Sequence, residues 1–110
     1  MRLMVLRAAK AMDTVGNAEA RVWVSAVKAM VPVRVCEIID EAIQIHGATG
    51  ISQWTPLAGM YAGVRTLRLA DGPDEVHWHV VGRAELTRYE DDHDPSPRLG
   101  ADGSGRFTGP

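Results

Sequence analysis

Residues 18–46, AEARVWVSAVKAMVPVRVCEIIDEAIQIH, decide the fold. Val24, Val27, Val31, Val35, Ile38, Ala42 and Ile45 recur at steps of three and four, the spacing that places side chains along one side of an α-helix. Trp23, Ala26, Met30 and Val33 form a second apolar stripe beside them, and Arg21, Lys28, Arg34, Glu37, Asp40 and Glu41 supply the polar remainder. Apolar surface this broad belongs to a helix covered by neighbours on more than one side. Pro32 removes one backbone hydrogen bond, but the periodicity resumes at once, so the pattern predicts a kink and not an end. Much of the segment is β-branched, and its local propensity alone does not hold a helix in water. It depends on packing partners.

Before this segment, residues 3–10 fit helical spacing, Gly16 is a natural terminator, and Asn17 is placed to cap the long helix with Glu19 in its first turn. The first twelve residues carry Arg2, Arg7 and Lys10 with no acid before Asp13, a weak likeness to a mitochondrial presequence. Their periodicity runs straight into the next element, which favours a helix inside a larger fold. After the long helix, Gln44-Ile45-His46-Gly47-Ala48-Thr49-Gly50 ends it with two glycines three apart, a spacing that allows close backbone approach. Residues 51–55 read as a loop. Pro56 opens a short helix from residue 57 to about 64, with Leu57, Met60, Tyr61 and Val64 on one side. Residues 65–70 fit an extended segment or a helical continuation. A final helix is expected from Pro73 to about Arg88, its inner face marked by Val76, Val80, Val81, Ala84 and Leu86 or Thr87. Residues 91–110 are acidic, then rich in Gly and Pro, and read as a disordered tail beyond a domain of residues 1–90.

At 110 residues the chain holds one domain. Its net charge of −2 offers no basic field for nucleic acid, and no apolar run is long enough to span a bilayer. The expected setting is the cytoplasm, or the mitochondrial matrix in a eukaryote. A single cysteine, Cys36, excludes an internal disulfide framework and reads as inert packing within the helix. The expected fold is all-α, an open array of three or four helices around one long kinked helix. Three short partners cannot cover that helix, which predicts association with another chain or domain.

Chemistry concentrates in Leu69-Ala70-Asp71-Gly72-Pro73-Asp74-Glu75-Val76-His77. Asp71 or Gly72 can cap the last helix, Pro73 suits its first position, and Asp74 and Glu75 place negative charge at the positive end of its dipole. A carboxylate in such a corner can be a cap, a general base, or both. His77 and His79, two apart on a helix, face away from each other and do not close a metal site even with His46 or His93.

Taken together, the Gln44–Gly50 stretch and the turn from Arg68 to His77 resemble the C-terminal helical domain of acyl-CoA dehydrogenases. In that family a Gln-x-x-Gly-Gly-x-Gly segment ends a long helix, a short helix and an Arg-rich segment follow, and a carboxylate-Gly-Thr turn opens the last helix. The likeness is closest to a branch of longer members whose turn reads Leu-Ala-Asp-Gly-Pro-Asp-Glu-Val-His, and in which the preceding chain also resembles Arg2 to Thr14. It covers residues 2 to about 90 and implies that family's four-helix-bundle domain.

The resemblance implies an FAD-dependent α,β-dehydrogenation of acyl-CoA thioesters, of the kind used in fatty-acid β-oxidation. Asp71 stands at the carboxylate that removes the α-proton, in chemistry that needs a base within reach of that carbon and shielded from water. Gln44, Ile45, His46, Gly47 and Ala48 stand where the family's chain touches FAD, usually that of a neighbouring subunit. Pro73, Asp74 and Glu75 stand at further FAD contacts, and Gly72 at a substrate-lining position. The implied partners are acyl-CoA, a homo- or hetero-oligomer and an acceptor of the electron-transfer flavoprotein type. Ala48 replaces the usual second glycine, Asp71 is one methylene shorter than the usual Glu, and Pro73 lacks the hydroxyl and N–H of the common Thr. The sequence does not contain the family's N-terminal helical domain or middle β-domain, which carry most of the pocket. Two readings follow: the C-terminal portion of a dehydrogenase, inactive alone and completed by further domains or a partner, or a non-catalytic helical oligomerisation module derived from it.

Overall fold

Broad apolar faces and one interrupting glycine organise the architecture. The protein, seen in a computed structural model, is described over residues 1–93, with side chains to residue 90. Four helices follow in order: α1 (Arg2–His46), α2 (Ala48–Ile51), α3 (Leu57–Leu67) and α4 (Asp74–His93). No strand occurs among the described residues, in agreement with the all-α array expected. α4 runs past the expected Arg88, and residues 94–110, most of the stretch read as a tail, lie outside the described residues. Residues 65–67 continue α3 and residues 68–71 form a turn, which resolves the ambiguity of that segment.

The sharp break in α1 falls at Gly16, whose φ of 83° and ψ of 173° are far from helical. The Arg7 guanidinium lies 5.0 Å from the centre of the Trp23 ring. Positions sixteen apart on an uninterrupted helix are separated by about 24 Å along its axis, beyond the reach of these side chains. Gly16 therefore folds residues 2–15 back beside the helix that follows. A Cβ there would meet nothing within 4 Å, so the requirement for glycine is conformational. Pro32 is buried inside α1, and the helix carries on through it at helical angles.

α1 is the spine. α3 and α4 each pack on it and, among the described residues, not against each other's length, so they follow one another along it. Tyr61 and Arg68 share a groove with Val33, Cys36 and Asp40, which places α3 on the C-terminal half. Val81, Ala84 and Arg88 line a second groove with Glu19, Val22 and Trp23, which places α4 on the N-terminal half.

The buried stripe differs from the one the periodicity suggested. Ser25, Ala29, Pro32, Cys36 and Ile39 are the buried positions over this part of α1. Val24, Ile38 and Ile45 are exposed, and Val27, Val31 and Val35 are half-buried. Small side chains let the helices approach closely, since interaxial distance follows the residues at the contact. The valine-rich face is thus only partly covered by the described residues. Leu3, Ile45, Trp54 and Leu86 are each at least 65% exposed. Cys36 is buried and unpaired, as expected of a packing residue.

Candidate functional site

The turn between α3 and α4 is built by the end of one helix and the start of the next. The last amides of α3 close it, with Arg68 N–H donating to Arg65 O (3.2 Å) and both Leu69 and Ala70 N–H to Thr66 O (3.0 Å). Asp71 then adopts φ 55°, the only non-glycine residue with positive φ among the described residues, and Gly72 follows at φ 98°. Pro73 precedes the first residue of α4, one position earlier than the helical slot expected of it, and its carbonyl accepts from Val76 N–H (3.0 Å).

Three side chains fasten this turn. Lys28 Nζ, from the middle of α1, donates to Gly72 O at 2.8 Å. His77 Nε2 lies 3.1 Å from Asp71 O, and since a carbonyl only accepts, that nitrogen carries the proton. Arg68 Nε donates to Asp74 Oδ2 at 2.6 Å, an ion pair that ties the end of α3 to the start of α4. Asp74 is 6% exposed. Its carboxylate raises the Arg68 guanidinium above its ordinary value, chiefly through their hydrogen bond and against some desolvation. Asp74 Oδ1 and His77 Nδ1 are buried without a hydrogen-bond partner among the described residues.

The Asp71 side chain is exposed, and its carboxylate makes no hydrogen bond or ion pair among the described residues. It therefore caps no amide of α4. Pro73 and Glu75 are also exposed, and Gly72 is half-buried. Of the acids expected at this corner, Asp74 is the one turned inward, held by Arg68.

The other motif closes α1. Gly47, at φ 59° and ψ −145°, ends the helix and donates to Gln44 O (3.2 Å). Gly50 N–H donates to Gly47 O (2.9 Å), and Gly50 is buried against α1. A Cβ on Gly50 would fall 2.6 Å from Ile43 O, whereas one on Gly47 would meet nothing within 4 Å. The close approach allowed by this pair is thus internal at Gly50 and open at Gly47. Gln44, Ile45, His46, Gly47 and Ala48 are all exposed. His46 Nδ1 donates to Ala42 O at 2.8 Å.

Within one chain the two motifs stay apart. Lys28, which holds the turn, and Gln44 are sixteen positions apart on α1, about 24 Å along the axis. Sequence reasoning placed Lys28 only on the polar face and weighed His77 only as a metal ligand. No local signal pairs Lys28 with a carbonyl forty-four positions away.

The sequence profile of the acyl-CoA dehydrogenase C-terminal domain matches residues 1–86. The chain belongs to the acyl-CoA dehydrogenase family. "Acyl-CoA dehydrogenase family member 11" of Rattus norvegicus is 54% identical over 86 residues, which are 78% of this chain and 11% of that protein. "Probable acyl-CoA dehydrogenase FadE2" of Mycobacterium tuberculosis is 51% identical over 87 residues, 79% of this chain and 21% of that protein. A solved structure from Mycobacterium abscessus assigned to the acyl-CoA dehydrogenases superposes with a TM-score of 0.78 at 52% identity, covering 80% of this chain and 22% of that one. The chain thus spans between a tenth and a fifth of the curated relatives it matches here. Its helical array is that of an acyl-CoA dehydrogenase C-terminal domain, as the paired motifs implied.

Proposed function

We propose that this chain supplies the catalytic base and part of the cofactor rim of an FAD-dependent acyl-CoA dehydrogenase, and that it acts only when further domains or a partner chain complete the pocket. The observation that carries this reading is the state of Asp71. Positive φ is uncommon outside glycine, though Asp adopts it more readily than most, and residues held there gather at functional sites. Here it is held while the carboxylate itself remains unengaged.

In the assembled site the Asp71 carboxylate accepts the α-proton of the acyl-CoA, and Gly72 lines the thioester beside it. FAD, when bound, supplies the acceptor for the β-hydrogen as hydride. The exposed side chain of Gln44 can donate and accept hydrogen bonds, and the open space at Gly47 leaves its backbone approachable by a nucleotide. His46, Ile45 and Ala48 flank that approach, and Pro73, Asp74 and Glu75 border the other. The separation of the two ends along α1 fits two cofactors, one per end, the glycine end serving a neighbouring subunit. The substrate class is acyl-CoA thioesters of the β-oxidation type, with an electron-transfer flavoprotein-type acceptor. The family domain takes in the described helices, α4 included, so its boundary falls after the expected residue 90.

A non-catalytic oligomerisation module is the second reading, favoured by the partly uncovered apolar face of α1. Acyl-CoA-dependent dye reduction separates the two. The full chain is co-purified with a polypeptide carrying the missing domains, with and without Asp71→Asn. Activity lost in Asp71→Asn supports the dehydrogenase reading. Activity retained in Asp71→Asn removes Asp71 as base, and no activity in either preparation favours the module.

A further inference from the structure

We infer that Lys28 and His77 are positioning residues for Asp71: they hold the two successive left-handed residues of the turn by their carbonyls, and so set the direction of a carboxylate they never touch. The inference rests on Asp71 being the base. Asp enters the left-handed region more readily than most side chains, but its Cβ still crowds the following carbonyl there, so negative φ stays open to Asp71. Gly72 tolerates that region and cannot enforce it on its neighbour. Contacts from outside the turn are what select one state for Asp71.

Two donors do so from different elements. Lys28 Nζ reaches Gly72 O from the middle of α1, the most extensively packed helix. His77 Nε2 reaches the carbonyl of Asp71 itself from the first turn of α4. One anchors the turn to the spine, the other to the helix it opens. A charged ammonium on a carbonyl is among the stronger hydrogen bonds, and this one is part-buried. The Arg68–Asp74 ion pair closes the base of the same turn but bonds neither carbonyl, so its role is to join the helices. With Lys28 and His77 engaged, the only freedom left to the Asp71 carboxylate is its own side-chain rotation.

The test uses four variants: Lys28→Met and His77→Leu remove the donors, and Lys28→Arg and His77→Gln retain one. Far-UV circular dichroism controls for folding, and Lys28→Leu stands in for Lys28→Met should that variant lose helicity. In the full 110-residue chain, the amide-to-Hα coupling and carbon shifts of Asp71 report its φ. The expected result is a positive-φ signature in the parent and the donor-retaining variants, lost in the donor-removing ones. Asp71 remaining at positive φ in Lys28→Met and His77→Leu overturns the inference, whatever the chain does catalytically. In the assembly with the missing domains, each donor-removing variant should lower kcat by about 100-fold, the scale of a misplaced reacting group, with KM little changed. His77→Gln should restore most of it. A rise in KM with unchanged kcat, or failure of the Gln variant to rescue while folding normally, also overturns it. If Asp71→Asn stays active, the base reading fails separately, and the coupling measurement still decides whether these residues hold the turn.

Discussion

Gly50→Ala should destabilise the chain although alanine is the better helix former. The added Cβ would lie 2.6 Å from Ile43 O, 2.9 Å from Ile43 Cα and 3.0 Å from His46 Cβ. The two nearest are backbone atoms of α1, which cannot rotate aside, so α2 must move off the helix end. Overpacking of this kind costs roughly 1–3 kcal/mol. Against it stands a gain of about 0.4–1 kcal/mol from a less flexible unfolded chain. The net expectation is a loss of about 1–2 kcal/mol. The assay is urea unfolding followed by circular dichroism at fixed protein concentration, since association would alter the midpoint. Gly59→Ala is the matched control. Gly59 lies inside α3 with nothing within 4 Å of a Cβ, and the substitution should stabilise by roughly 0.5–1 kcal/mol. A Gly50→Ala chain as stable as the Gly59→Ala chain would refute the close approach of α2 to α1.

Two further predictions follow from packing and charge. Ile39→Ala should cost about 2–5 kcal/mol because Ile39 is buried, whereas Ile38→Ala, with Ile38 56% exposed, should stay within about 0.5 kcal/mol in the unassociated chain; urea unfolding of the two variants side by side checks this. Arg68→Met should lower the unfolding midpoint by leaving the Asp74 carboxylate buried and unpaired, and adding Asp74→Asn should recover part of the loss. Because Asp74 raises the Arg68 value, the stability due to the charged guanidinium is fully present below its ordinary value and is lost only as pH rises past it. Mild alkaline titration should therefore not reproduce the Arg68→Met phenotype.

The helices were legible because apolar periodicity and punctuation agree. Gly16, Gly47 and Pro56 fall at the breaks, and Pro73 immediately precedes the last helix. Which face of α1 is covered from within was not legible. Valine at every third or fourth position is apolar whether it meets its own chain or another, and the smaller stripe through Ser25, Ala29 and Cys36 gives a weaker hydropathy signal. The reversal at Gly16 was legible only as an ending, since a terminator does not state where the chain goes next. At the site, the position of Asp71 followed from the family motif, while its left-handed backbone and its two anchors did not. Gly72 signals one positive φ, but nothing nearby in sequence announces that the turn it forms is bonded by a lysine forty-four positions before it. Asp74 carries the same charge as Asp71, yet it is the acid that turns inward, because Arg68 lies on the same side of the turn to receive it.

The claim that Asp71 is a base is tested most directly by isotope exchange at the α-carbon. The chain is assembled with the missing domains, loaded with an acyl-CoA and transferred to deuterated water, and α-deuterium incorporation is followed by mass spectrometry. The account predicts incorporation with Asp71 and its loss in Asp71→Asn at unchanged flavin content. Equal incorporation in both would contradict it and leave this domain a scaffold.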